Sequence, residues 1–111
     1  MSRSSSSLTA SVAGDGTALV SFKATDPYVS LELISLSVTL DAGDGEARVY
    51  LGTRPNEEAL IDGTYSGARD TTYFDRITLN PGESLCVEWT NAEPAANARA
   101  VLHYDARQLR G

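Results

Sequence analysis

A chain of 111 residues with 41% hydrophobic content is long enough for one packed domain and too short to divide into two. Its 15 acidic and 9 basic residues leave a formal charge of -6, which argues against nucleic acid as a partner, because phosphate binding needs a surplus of Lys and Arg on one face. A single cysteine, Cys86, excludes an intramolecular disulfide, and no run approaches the ~20 apolar residues of a membrane-spanning helix.

Residues 1–7 are Ser-rich and are expected to form a flexible arm. From Leu8 the pattern turns to strict alternation, with Leu8, Ala10 and Val12 on one face, and Gly14-Asp15-Gly16 then reads as a turn. Thr17 to Ala24 returns as a strand with Ala18, Val20, Phe22 and Ala24 inward, and Asp26-Pro27 breaks it. Leu31 to Leu40 is the longest strand candidate. Its expected buried face is Ile34, Leu36, Val38 and Leu40, with Ser35, Ser37 and Thr39 opposite. After the loop Asp41 to Gly45, Glu46 to Leu51 reads as a strand with Ala47, Val49 and Leu51 inward and Arg48 and Tyr50 outward.

A Gly-rich loop is expected from Asp62 to Asp70, then a strand from Thr71 to Leu79 with an irregularity near Asp75 and Arg76. Asn80-Pro81-Gly82-Glu83 has the Pro and Gly placement of a type II turn. Ser84 to Thr90 puts Leu85, Val87 and Trp89 on the core face, and Asn97 to Tyr104 is the last strand. Seven or eight strands separated by turns predict an all-β, two-sheet antiparallel sandwich, jelly-roll-like or, as the alternative, Ig-like. The expected organisation is an arm at 1–7, a single sandwich domain at 8–105 and a polar tail at 106–111.

Few residues carry reactive chemistry. His103 is the lone histidine, and Ser66 in G-T-Y-S-G does not match the G-x-S-x-G elbow of a serine hydrolase. Cys86 shares its face with Glu88, whose charge raises a thiol pKa and opposes nucleophilic use. Zinc needs several His or Cys ligands, and the acidic loop Asp41 to Glu46 lacks the oxygen spacing of an EF-hand. No catalytic residue, metal or cofactor is therefore expected. What remains is a surface. Tyr and Arg are common anchors of protein interfaces, which makes Arg3, Tyr50, Tyr65, Arg69 and Tyr73 the candidate partner-contacting residues. Exposed tyrosines also suit stacking on sugars.

The order A-R-V-Y-L-G, L-I-D-G-T-Y-S-G-A-R-D-T, I-T-L-N-P-G-E-S-L-C-V-E-W-T-N-A and a closing Ala-rich strand resembles small structural proteins of tailed phages that infect actinobacteria. The similarity covers roughly Arg48 to Tyr104, with a looser match over Leu8 to Leu40. It implies a non-enzymatic virion component, foremost a capsid decoration protein on the capsid surface. Such a protein would associate with copies of itself, as a trimer, and with the major capsid protein. A head fibre, a minor tail protein or a receptor- or carbohydrate-binding module with a glycan ligand is the alternative. The opening residues hold no apolar stretch of signal-peptide length, so synthesis in the host cytoplasm is expected, with no nucleic acid or membrane partner.

Overall fold

The computed structural model describes residues 2–56, 58, 60–66 and 69–108, and for 2, 3, 62–66 and 69 it describes the backbone alone. Nine strands are present among them: β1 Ser2–Ser11, β2 Ala18–Lys23, β3 Val29–Leu40, β4 Glu46–Leu51, β5 Leu60–Ser66, β6 Arg69–Tyr73, β7 Thr78–Leu79, β8 Ser84–Thr90 and β9 Asn97–Gln108. They form two antiparallel sheets. One runs β1-β9-β3-β6, with β7 continuing the β6 side of β3; the other runs β2-β8-β4-β5. The pairs are nested: β1 with β9, β2 with β8, β3 with β6, β4 with β5. That is one long hairpin rolled over on itself, the jelly-roll topology rather than the Ig-like one. No helix among the described residues is long and apolar enough to cross a membrane.

The core is layered across the four-stranded sheet. Val20, Val87 and Val49 lie side by side in register, and Trp89 lies between Ala18 and Ala47. The indole is fully buried because its neighbours on both strands are the smallest side chains with a Cβ, and Ala98 and Ala100 belong to the same core. Alternating large and small residues lets the two inner faces interdigitate at crystal-like density.

Three sequence expectations change. Residues 2–7, expected as a flexible arm, are the first half of β1 and pair with β9 from Ser2↔Ala106 to Ser7↔Val101. The long β9, which runs three residues past the expected domain end at 105, supplies the template. In β3 the buried apolar positions are Leu31, Leu33, Leu36 and Val38, whereas Ile34 and Leu40 are half-buried. A bulge between Leu33 and Ser35 leaves Ile34 as the extra residue and reverses the phase of the strand. The bulge sits where β3 changes neighbour: Phe74 N donates to Ile34 O, Leu33 N donates to Ile77 O, and Arg76 between them has φ 59. This is the irregularity expected near Asp75 and Arg76, and it splits that strand into β6 and β7. Third, most of the Gly-rich segment Asp62 to Asp70 is strand: its first part belongs to β5 in one sheet and its last part to β6 in the other.

The turns follow their residues. Gly82 has φ 88, as the third position of a type II turn requires, and Glu83 N closes it on Asn80 O at 2.9 Å. At the far end of β3, Asp41 accepts from Asn97 N at 2.7 Å and from Asn97 Nδ2 at 2.8 Å, which ties the end of β3 to the start of β9.

Two outcomes are expected. Trp89→Ala should destabilise the domain by ~3–5 kcal/mol, lowering Tm by roughly 12 °C or more; a shift below about 4 °C in a melt followed by circular dichroism would contradict the core described here. Hydrogen bonds from Asn97 hold the Asp41 carboxyl below its ordinary pKa of 3.8. A carboxyl depressed in the fold adds stability that is complete above the unfolded pKa and is lost as pH falls through the folded value. Asp41→Ala should therefore melt lower than the parent at pH 6, and the gap should close as the pH falls through the range below 3.8. A gap independent of pH would show that the carboxylate charge is not what matters.

Candidate interaction surface

Side chains alternate across a strand, so the residues opposite the core form the outer face of the five-stranded sheet. Backbone register arranges that face in rows. Ser5, His103, Ser35 and Tyr73 cross β1, β9, β3 and β6; the next row is Ser7, Val101, Ser37 and Thr71; the next begins Thr9, Arg99, Thr39. Two rows of four positions thus contain no Asp, Glu, Lys or Arg, on a chain of net charge -6. The hydroxyls bond within the face. Ser37 Oγ lies 3.0 Å from Thr71 Oγ1, and Arg99 Nε donates to Ser7 Oγ at 2.8 Å. Ser35 is buried even though it points away from the core, and His103 and Val101 are half-buried. Tyr73, at the edge of the first row, is 78% exposed. Charges return at both ends, with Arg99 in the third row and, beyond the first row, Arg107 Nη2 3.4 Å from Glu32 Oε2.

The outer face of the other sheet is different. Arg48 and Glu46 approach at 3.9 Å, and Leu19 is exposed. Tyr50, expected outward and available to a partner, is on the expected side but only 4% exposed. It pairs in register with Cys86, itself fully buried, at the point where the connection from β4 leaves the sheet and returns at Leu60. Strand alternation reports the side of the sheet, and it does not report whether that side is covered. Burial, with a smaller contribution from the Glu88 charge, pushes the Cys86 thiol pKa up, which fits a packing role.

Of the other candidates, Tyr73 alone has a described side chain. Those of Arg3, Tyr65 and Arg69 lie outside the described residues. Their backbones place Arg3 opposite Asp105, Arg69 opposite Thr39 and Tyr65 opposite Ala47. Tyr65 and Arg69 therefore belong to different sheets, not to one loop. The hydroxyl rows were not anticipated. Their signal is the coincidence of S-x-S-x-T in β1 with S-x-S-x-T in β3, which only the register shows to be on one surface.

A second feature is a cleft of about 350 Å³ between the sheets on their β1/β2 side, lined by Ser4, Phe22, Tyr104 and Asp26 among others. Ser4 is too small to fill the gap between sheets, and the Phe22 and Tyr104 rings, 5.4 Å apart and tilted by 41°, form apolar wall. Among the described residues no group of three or more His, Cys, Asp or Glu side chains is placed to hold a metal ion.

No family model matches this chain, and no curated protein matches it. Among solved structures it is similar to a Podospora anserina GH26-CBM35 β-(1,4)-mannanase, at 13% identity and a TM-score of 0.46; the likeness covers 95% of this chain and 28% of that one.

Proposed function

We propose that this chain is a non-enzymatic adhesion module of a virion, a capsid-decorating β-sandwich that works by surface complementarity. The observation that carries the reading is the pair of hydroxyl rows, free of Asp, Glu, Lys and Arg, on the outer face of the five-stranded sheet. A flat face of small polar side chains desolvates cheaply, since each hydroxyl can exchange a water for a partner's carbonyl or amide. Four strands spaced ~4.8 Å apart, with two rows taking up about four residues of each strand at ~3.3 Å each, give a face of about 250 Å². That is roughly a third of the ~800 Å² that a stable interface buries per partner. One copy alone would bind weakly. Many copies on a repeating lattice would bind firmly through avidity, the situation of a decoration protein. The phage-protein resemblance of the sequence supports the same assignment.

A second reading, a carbohydrate-binding module, is favoured by one feature: the cleft beside Phe22 and Tyr104 offers ring faces together with the polar side chains of Ser4, Thr25 and Asp26.

Placing carboxylates mid-face tests the first reading. Val101→Glu with Ser37→Glu should leave the fold intact and lower co-sedimentation with undecorated particles by tenfold or more. Leu19→Glu, on the outer face of the other sheet, should leave it unchanged. Undiminished binding by the double variant, or loss with Leu19→Glu alone, would contradict the assignment. A glycan-array signal that disappears when Lys23 and Asp26 on the cleft rim become Ala would favour the second reading.

A further inference from the structure

The outermost strands of the two sheets are not alike. An open strand edge presents unpaired N–H and C=O groups, and proteins usually blunt it with short length, Lys, Pro, inward charge or bulges. β2 is six residues long and ends in Lys23. β6 is five residues, begins Arg69-Asp70 and runs into the irregular 74–77 segment. β5 shifts register twice against β4. β1 has none of these devices. It is ten residues long, keeps one unbroken register with β9 throughout, and contains no Lys, Pro, Gly, Asp or Glu; Arg3 is its single charge.

We propose that the open edge of β1 pairs antiparallel with β1 of a second copy, joining the two five-stranded sheets into one across a two-fold axis. The proposal rests on the adhesion reading and names how copies meet. Identical strands pair isologously, so the same residues serve both sides. In a continuous sheet, paired residues point to the same face, so an axis at Ser5, Ser6 or Ser7 sets each outer residue opposite another outer one. With the axis at Ser6, Arg3 faces Thr9 of the mate; with the axis at Ser5, it faces Ser7. No like charges meet in either register, and no carboxylate lies on the strand although the whole chain is acidic. The seam continues the hydroxyl rows, since Ser5 and Ser7 are exposed on that face. Ser4 of the same strand also lines the cleft beside Phe22 and Tyr104. Two-fold pairing makes a dimer, in place of the trimer that the resemblance implies.

The test combines mass and cross-linking on the full chain. Sedimentation equilibrium should give about twice 11.8 kDa for the parent. Ser5→Lys with Ser7→Lys should return it to 11.8 kDa with an unchanged circular dichroism spectrum, and 1 M NaCl should partly restore the dimer by screening the added charges. Single Cys variants at Ser5, Ser6 and Ser7, oxidised with copper phenanthroline, should give a disulfide dimer, strongest at the residue on the axis, while Thr71→Cys on the β6 edge gives none. Cys86 is fully buried and contributes no background. A monomeric parent at ~100 µM, a trimer, a dimer indifferent to the Lys pair, or cross-linking at Thr71 would each overturn the proposal. The adhesion reading is judged separately, by particle co-sedimentation of the Val101→Glu, Ser37→Glu variant, whose substitutions lie on β9 and β3 away from the β1 edge: tenfold weaker binding leaves that reading standing, and undiminished binding ends it, whatever the seam proves to be.

Discussion

The pairing of β3 with β9 is the contact on which the rest of the molecule depends. Each strand is twelve residues long, and they are matched in register from Val29↔Gln108 to Leu40↔Ala98 with one interruption. Inward they supply Leu33, Leu36, Val38, Ala98, Ala100 and Leu102, all buried. Outward they supply the middle of the hydroxyl rows. β1 has a sheet to join because β9 is long, and β6 and β7 can both pair with β3 because the bulge at Ile34 bends it between two neighbours. The other sheet is then fastened through the core, where Trp89 lies between two alanines.

Much of this was legible before any coordinates. The strand-and-turn pattern named the sandwich and its jelly-roll form, the Asn80 to Glu83 turn and the burial of Trp89. Those are local signals: period-two alternation, a Pro-Gly pair, the largest apolar ring in phase with Leu85 and Val87. The misses share one cause. The phase of β3 is ambiguous in sequence because Leu31-x-Leu33 and Leu36-x-Val38 follow different alternations, and only the change of partner decides which residue is extra. The serines of residues 2–7 carry no apolar pattern, and they are strand because β9 is there to pair with. The Gly-rich stretch is similar, since Gly63 and its polar neighbours suggest a loop until β4 provides a ladder.

The candidate surface was less legible than the fold. Tyrosines and arginines attract notice as anchors, yet Tyr50 is buried beside Cys86, and Tyr65 and Arg69 stand on separate sheets. Serine and threonine, by contrast, are unremarked in a one-dimensional reading. Their arrangement becomes a surface only when β1, β9, β3 and β6 are set side by side. On the proposed adhesion reading, such a face gains strength by repetition, and the unblunted edge beside it offers a way to repeat.

The central claim is that the outer face of the five-stranded sheet is the working surface. Hydroxyl-radical footprinting of the assembled chain against the free chain tests it most directly. The account predicts protection at Tyr73 and His103, with Leu19 and Leu60, exposed on the other sheet, oxidised equally in both states. Protection confined to Leu19 and Leu60, with Tyr73 and His103 unchanged, would contradict it.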